Sequence, residues 1–351
     1  MVKVGLIAFA NDGGLGAQTR RLAQMLNPDR VLVIDSSGFS PNRKQHFDWY
    51  KPYNHFICTG FPSNSDVKAF LPGLTHIFTV ENPYNFGLVY WGQEQGAKIY
   101  CQTNYEFCDN LDKPWLPVPD KFLMPSYWKL EEMEKRFGKD RVMHLPPPID
   151  PEEFANAAMV NLNRTGKKRF LHVIGTLASR DRNGTLDLLQ AVKLSKSDFE
   201  LVIRTQHPLP VEYFLDDPRV AYEYNSFEKN EDLYYDFDAL FLPRRWGGLS
   251  LTTNEALMSA LPVYMTDISP NNNFLNSSWL VKAEKKEVMQ TRAAVDVYSV
   301  DIEALAKKLD EVASLSDGDM VQEKIWALTL GESNFSMEVI KPQYQELIES
   351  S

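Results

Sequence analysis

The sequence predicts an α/β protein of two doubly wound domains facing each other across a cleft. Three observations carry that expectation: a length of 351 residues, an alternation of short apolar runs with helical stretches, and a triple proline near the middle. A chain of this length exceeds one ordinary domain and favours two of roughly 150 to 180 residues each. Val4-Gly5-Leu6-Ile7-Ala8-Phe9, Val31–Ile34, Phe56–Cys58, His76–Val80, Ile99–Cys101 and Phe122–Met124 are too apolar to alternate, which is the mark of parallel strands covered on both faces. Helices are expected between them at Gly16–Leu26, Tyr84–Gly96 and Tyr127–Phe137.

Pro146-Pro147-Pro148 removes three consecutive backbone donors and marks a domain edge, so the first domain is set at 1–148. A second α/β pattern follows over 149–334. Its strands are expected at Phe170–Ile174, Leu201–Arg204, Val220–Tyr224, Ala239–Leu242 and Val263–Thr266, and its helices at Gly184–Lys193 and Thr252–Ala260. The tail, 335–351, reads as a final helix from Ser336, a candidate cap, to Ile348; Met337, Ile340, Tyr344 and Leu347 fall near helical spacing and are expected to pack back across the domain junction.

Composition narrows the class. Hydrophobic residues at 44% and charged residues at 24% describe an ordinary globular protein. The sequence opens directly on its first strand, which implies a cytosolic protein without membrane insertion. Cys58, Cys101 and Cys108 lack zinc spacing and read as reduced, packed thiols, and the six histidines show no metal pattern. A net charge of −10 disfavours diffuse binding to phosphate backbones, although Lys129, Lys135, Arg136, Lys139 and Arg141 group around one expected helix.

The first loop with chemistry is Asn11-Asp12-Gly13-Gly14-Leu15-Gly16-Ala17-Gln18, between the first strand and first helix. Glycines allow close approach of a ligand, and a helix N-terminus favours an anion. Gly14 and Gly16 are donor-side candidates, Gly13 and Gln18 acceptor-side ones. Gly14, Gly16 and Asp35 also imitate a dinucleotide site, but the third glycine position holds Thr19, leaving an incomplete NAD pattern.

The second loop joins strand Ala239–Leu242 to Pro243-Arg244-Arg245-Trp246-Gly247-Gly248-Leu249-Ser250-Leu251, then Asn254-Glu255-Ala256-Leu257 and the turn Ala260-Leu261-Pro262-Val263. This order resembles the donor-binding motif of retaining GT-B glycosyltransferases of the family 4 type. The resemblance implies two Rossmann-like domains, a nucleoside-diphosphate sugar (UDP-glucose type) as co-substrate, and transfer of a hexose with retention and without a metal. It gives Glu255 the donor ribose, and Arg245, Gly247, Gly248, Leu249 and Ser250 the diphosphate and sugar. One departure is that the carboxylate such enzymes often carry eight positions earlier is replaced by Gly247.

A further stretch, Val173-Ile174-Gly175-Thr176-Leu177-Ala178-Ser179-Arg180-Asp181-Arg182-Asn183-Gly184-Thr185, lies where the family holds the leaving diphosphate with basic residues. Thr176 stands where arginine is usual. Arg182 is therefore the first candidate for that role and Arg180 the second, with Gly175 beside the donor. The Asp-Arg-Asn-Gly-Thr and Arg-Arg-Trp-Gly-Gly-Leu strings and Ser269-Pro270-Asn271 are similar to glycosyltransferases encoded by tailed bacteriophages, which implies hydroxymethylated pyrimidines in phage DNA, a phage structural protein or a surface glycan as acceptor.

Acceptor-side candidates follow strands, where α/β sheets bind ligands: Glu81, as a catalytic carboxylate, with Asn82, Asn104 and Glu106. Trp91, Trp115 and Trp128 read as packing residues. Asp236-Phe237-Asp238 reads as a chance D-x-D string rather than a metal site. Two other classes remain beside the transferase: a Rossmann oxidoreductase and a non-catalytic nucleotide-sugar binder.

Overall fold

The computed structural model describes residues 1–350 apart from 176, 178, 179, 226 and 228. The chain divides into two compact units, Met1–Pro148 with Met337–Ser351, and Ile149–Ser336.

The first unit is built on strands β1 (Val4–Phe9), β2 (Arg30–Asp35), β3 (His55–Thr59), β4 (His76–Val80), β5 (Lys98–Gln102), β6 (Lys121–Met124) and β7 (Val142–His144). All pair in parallel in the order β3-β2-β1-β4-β5-β6-β7. Its helices before the unit boundary are α1 (Gly14–Leu26), α2 (Asn64–Phe70), α3 (Gly87–Glu94), α4 (Cys108–Leu111) and α5 (Leu130–Phe137). Alternate strand residues serve opposite faces. Leu6, Ala8, Val31, Val33, Phe78 and Val80 pack one layer, while Ile7, Phe9, Leu32, Ile34 and Ile77 pack the other with α2 and α3 residues Val67, Phe70, Leu88 and Val89.

Two expected helices start late. Tyr84 (φ 60°) and Lys129 (φ 57°) adopt left-handed backbone, so α3 and α5 begin only at Gly87 and Leu130. All three cysteines are free and buried.

The second unit runs α6 (Ala155–Asn163), β8 (Arg169–Gly175), α7 (Thr185–Leu194), β9 (Glu200–Thr205), β10 (Val220–Tyr224), β11 (Ala239–Leu242), α8 (Leu251–Met258), β12 (Val263–Thr266), β13 (Leu280–Val281), β14 (Ala283–Gln290), β15 (Ala294–Val300), α9 (Ile302–Ala313) and α10 (Asp317–Phe335). Six of these strands form a parallel sheet in the order β10-β9-β8-β11-β12-β13, and β14 and β15 form an antiparallel hairpin. One continuous core includes Phe170, Leu201, Phe241, Leu257 and Val263.

The final helix, α11 (Met337–Glu349), belongs to the first unit. Ile340, Tyr344 and Leu347 enter the layer that contains β1 and α1, with Met337 packed at its edge. Ser336 is buried at the end of α10 and bridges to Ile149. Among the described residues no helix is long and apolar enough to cross a membrane.

Candidate functional site

In a doubly wound sheet, ligands collect beyond the carboxyl ends of the strands where the strand order reverses. In the second unit that point lies between β8 and β11, and the loops leaving those strands carry the sequence-predicted donor residues.

The β8 exit is shaped by hydrogen bonds. Gly175 has φ 64°, and its carbonyl accepts from Gln206 N at 3.0 Å and from Thr205 Oγ1 at 3.2 Å. Thr176, Ala178 and Ser179 lie outside the described residues. Asp181 then accepts from Thr185 N at 3.0 Å and Leu186 N at 2.8 Å, so it caps α7 and occupies the amides that an anion there would want.

The two loops are locked together. A Cβ on Gly184 would lie 2.1 Å from the Pro243 carbonyl oxygen, so only glycine permits this contact. Arg245 N donates to Arg182 O at 2.8 Å. The Arg182 guanidinium consequently lies over the Trp246 ring, 4.5 Å from its centroid.

Gly247 is the centre of the constellation. Its φ is 115°, a backbone that side chains rarely adopt. The point where its Cβ would stand is 2.5 Å from Arg182 Nη2 and 2.8 Å from Arg244 Nη2, so two guanidinium groups converge on one glycine. Two guanidinium groups that close to one backbone position can both donate charge-assisted hydrogen bonds to a phosphate placed there. Arg244 Nη1 donates to Leu249 O at 3.0 Å and Gly248 O at 3.3 Å, which fixes the arginine and curls the loop around it.

Arg244 is the residue that sequence reasoning missed, having chosen its neighbour. The Arg245 guanidinium turns the other way, donating to Tyr298 O at 2.9 Å and Arg180 O at 3.0 Å, and thus ties the loop to β15. Arg180 is half-exposed and pairs with Glu287 on β14. Arg182 and Arg244 are brought together at Gly247, whereas Arg180 and Arg245 brace the hairpin.

Ser250 caps α8, accepting from Thr253 N at 3.3 Å. Glu255 lies in the second turn of α8, buried to 7% exposure, and accepts from Tyr234 Oη at 2.7 Å. Tyr234 is itself fully buried, so the carboxylate is held in one orientation. The sequence offers no local signal for Tyr234, which lies 21 positions away. His172 is equally fixed: fully buried, it bridges Phe241 O at 2.7 Å and Thr185 Oγ1 at 2.9 Å, and burial pushes its pKa down.

The D-x-D string is part of the framework. Asp238 pairs with Lys324 at 2.7 Å and with Arg164, while Asp236 pairs with Arg169 at 3.0 Å. Among the described residues no group of three or more His, Cys, Asp or Glu side chains is placed to hold a metal ion.

In the first unit the reversal lies between β1 and β4. Gly13 precedes α1 and Gly14 begins it; Gly16 presses on the preceding turn, because a Cβ there would lie 1.7 Å from Asn11 O. Gln18 is 5% exposed and donates to Gln102 Oε1, while Gln102 Nε2 donates to Tyr344 Oη at 3.0 Å, so the Gln18 amide serves the interior of the unit. Thr19 is fully buried and donates to Leu15 O at 2.8 Å, and Asp35 Oδ1 accepts from Ser37 N at 2.9 Å in the turn after β2.

Glu81, with φ 65°, and Asn82 leave β4, and Asn104 and Glu106 leave β5. The Thr103 hydroxyl donates to Glu81 O at 2.6 Å and joins the two exits, bringing these candidates to one edge. Three of the five basic residues around α5 are matched by acids: Lys129 pairs with Glu132 at 2.9 Å, Lys135 with Glu131 at 3.8 Å, and Arg136 with Asp109 at 2.7 Å and Asp112 at 2.5 Å. Trp128 is buried as expected of a packing residue. Trp115 is not, at 77% exposure, because it sits in a loop between Pro114 and Pro117 rather than on an amphipathic element.

No protein-family model matches the sequence, and no curated protein sequence matches it. Solved structures do match along the whole chain. Alr3699/HepE of Anabaena in complex with UDP aligns with a TM-score of 0.72 at 11% identity, covering 100% of both chains. A glycosyltransferase from Rickettsia africae ESF-5 aligns at 0.70 and 14% identity, covering 99% of this chain and 98% of that one. A UDP-forming α,α-trehalose-phosphate synthase from Burkholderia xenovorans aligns at 0.66 and 12% identity, covering 99% of each. Identities this low establish the fold alone, and the fold is GT-B, with parallel sheets of seven and six strands.

Proposed function

We propose that this chain is a glycosyltransferase that takes a hexose from a nucleoside-diphosphate sugar of the UDP type and transfers it, with retention, to an acceptor hydroxyl. The observation that carries the reading is the convergence of Arg182 and Arg244 on Gly247 at the point where the second sheet reverses its strand order. A pyrophosphate is the ligand that such a pair fits, since each phosphoryl group presents oxygens to a guanidinium fork.

In the transfer step the bond between the anomeric carbon and the β-phosphate oxygen breaks and the acceptor oxygen bonds to that carbon. The acceptor's proton passes to the departing phosphate oxygen. Charge therefore grows on the diphosphate as the reaction advances, and prepositioned arginines stabilise that charge more than the ground state. Their two positive charges support a reading without a required metal. Glu255, held by Tyr234, accepts from the donor's ribose hydroxyls through its remaining oxygen lone pairs. Retention and the hexose rest on the resemblance of the 239–263 stretch to retaining enzymes.

Among acceptors, a hydroxymethylpyrimidine in DNA follows from the phage resemblance. The carboxylates matched to Lys129, Lys135 and Arg136 weigh against a phosphate-tracking face there. The test is incubation with UDP-glucose, UDP-galactose and UDP-N-acetylglucosamine in the presence of a chelator, with mass spectrometry of hydroxymethylated oligonucleotides, proteins and glycans. Transfer or slow donor hydrolysis that persists in the chelator is expected. Binding of NAD without binding of UDP, or UDP-sugar binding with neither hydrolysis nor transfer to any acceptor, would overturn it.

A further inference from the structure

The loop after β11 buries a tryptophan whose polar atom goes unused. Trp246 is 6% exposed, and its indole Nε1 is enclosed with no hydrogen-bond acceptor among the described residues. Buried tryptophans usually find a partner for that N–H, and one left unpaired destabilises the fold. Phenylalanine or leucine would be apolar throughout at this position and would leave no such donor. What tryptophan supplies beyond either is its ring face, the best aromatic seat for a cation.

That face is occupied. The Arg182 guanidinium carbon lies 4.5 Å from the ring centroid. Arg182 arrives from the loop between β8 and α7, whose main chain is joined to this one where Arg245 N donates to Arg182 O at 2.8 Å. Both main chains are therefore fixed, and the long, rotamer-rich arginine side chain remains to be placed. Its Nη2 ends 2.5 Å from the point where a Cβ on Gly247 would stand.

The two arginines at Gly247 meet different chemistry. Arg244 commits Nη1 to the carbonyls of Gly248 and Leu249. A contact through a ring face restricts Arg182 without taking all of its N–H groups, of which a guanidinium carries five. Such a contact is also stronger in a buried setting than on the surface.

We infer that Trp246 is the positioning residue for Arg182, its ring face holding the guanidinium where a diphosphate meets it. This rests on the diphosphate reading of the site and adds to it the group that places one of the two arginines. Replacing the ring by an aliphatic side chain weakens UDP binding roughly 2- to 30-fold, the range of a cation–π contact.

The experiment is a double-mutant cycle on the full chain, read by calorimetric titration of UDP into the parent, Trp246→Leu, Arg182→Met and the double variant. Trp246→Phe is the conservative member, and 19F NMR of protein labelled with 5-fluorotryptophan adds a spectroscopic signature. The resonance of Trp246 among the seven tryptophans is assigned by its loss in Trp246→Phe. We expect Trp246→Leu to lose affinity, Trp246→Phe to recover part of it, and the double variant to bind UDP no more weakly than Arg182→Met alone, because the ring acts through the arginine. The Trp246 resonance should move in Arg182→Met, a readout that leaves the tryptophan in place and does not depend on how well its variants fold. Undiminished UDP affinity in Trp246→Leu, losses that add in the double variant as they would for general damage to the loop, or a resonance indifferent to Arg182→Met overturns the inference. No binding of UDP by the parent, with the resonance still moved by Arg182→Met, would instead overturn the donor reading and leave the hold of Trp246 on Arg182 standing.

Discussion

Replacing Gly247 with alanine separates the geometry of the arginine pair from its mere presence. The new Cβ would sit 2.5 Å from Arg182 Nη2, 2.9 Å from Arg182 Nε and 2.8 Å from Arg244 Nη2, distances that real Cβ contacts do not show. The obstructing atoms are the ends of flexible side chains, so the clash is relieved by moving both guanidinium groups outward rather than by unfolding the loop. The backbone cannot relax as easily, since a φ of 115° costs a residue with a side chain on the order of 1–3 kcal/mol. For a unit of this size each kcal/mol shifts the midpoint by roughly 2–4 °C, which puts the expected loss at about 2–12 °C. Displaced guanidinium groups lose charge-assisted hydrogen bonds worth about 1.5–3 kcal/mol each, so UDP affinity should fall at least tenfold. Differential scanning fluorimetry reads the first quantity and titration calorimetry the second. If Gly247→Ala binds UDP as tightly as the parent, the pair is not organised around this glycine for a diphosphate, and the reasoning fails.

Other outcomes follow from the same geometry. Glu255→Ala should weaken UDP binding more than tenfold, while Tyr234→Phe, which removes only the hydroxyl that orients the carboxylate, should weaken it by a smaller factor of roughly 3 to 10; both are read by calorimetry. Gly16→Ala places a Cβ 1.7 Å from a backbone oxygen that cannot step aside, and should lower the melting temperature of the first unit by more than Gly247→Ala lowers that of the second. Burial pushes the His144 imidazole down to about 4, against roughly 6.5 when unfolded. A depressed histidine is neutral in both states above pH ~6.5, so its cost is absent there. Below that the unfolded chain takes the proton first, and stability falls until about pH 4, by at most about 3 kcal/mol. His144→Phe should flatten that part of the melting temperature against pH profile, and an unchanged slope would contradict it.

How far the sequence could be read depended on whether the deciding contact was local. The central strands were legible because burial on both faces forces unbroken apolar runs such as Val31–Ile34 and Ala239–Leu242, and these lie inside β2 and β11. The edge strand β7 was not, since Val142–His144 is three residues long and only Val142 is fully buried. The hairpin β14–β15 was hidden by its own polarity: Ala283–Gln290 carries charges on half of its positions, in the run Glu284 to Glu287, and reads as surface loop. The loop after β11 shows the same limit within a single dipeptide. Arg244 and Arg245 are chemically equal in sequence, and which one turns toward Gly247 is decided by the turn at Pro243 and by the carbonyls of Gly248, Leu249, Tyr298 and Arg180. Alternation offered a usable signal, for Arg244 and Trp246 are both buried, on the same side of an extended segment, and Arg245 between them is not. Tyr234 and Gln102, by contrast, reach their partners across 21 and 84 positions, distances over which no periodicity speaks.

The role of the arginine pair is decided by calorimetric titration of UDP into the parent chain and into Arg182→Met and Arg244→Met, each of which keeps most of the side-chain bulk and removes the charge. Saturable binding to the parent is predicted, weakened roughly 10- to 150-fold in each variant by the loss of one charge-assisted contact to the diphosphate. Equal affinity across the three proteins, or no binding of UDP by the parent, would contradict a diphosphate held between these two arginines.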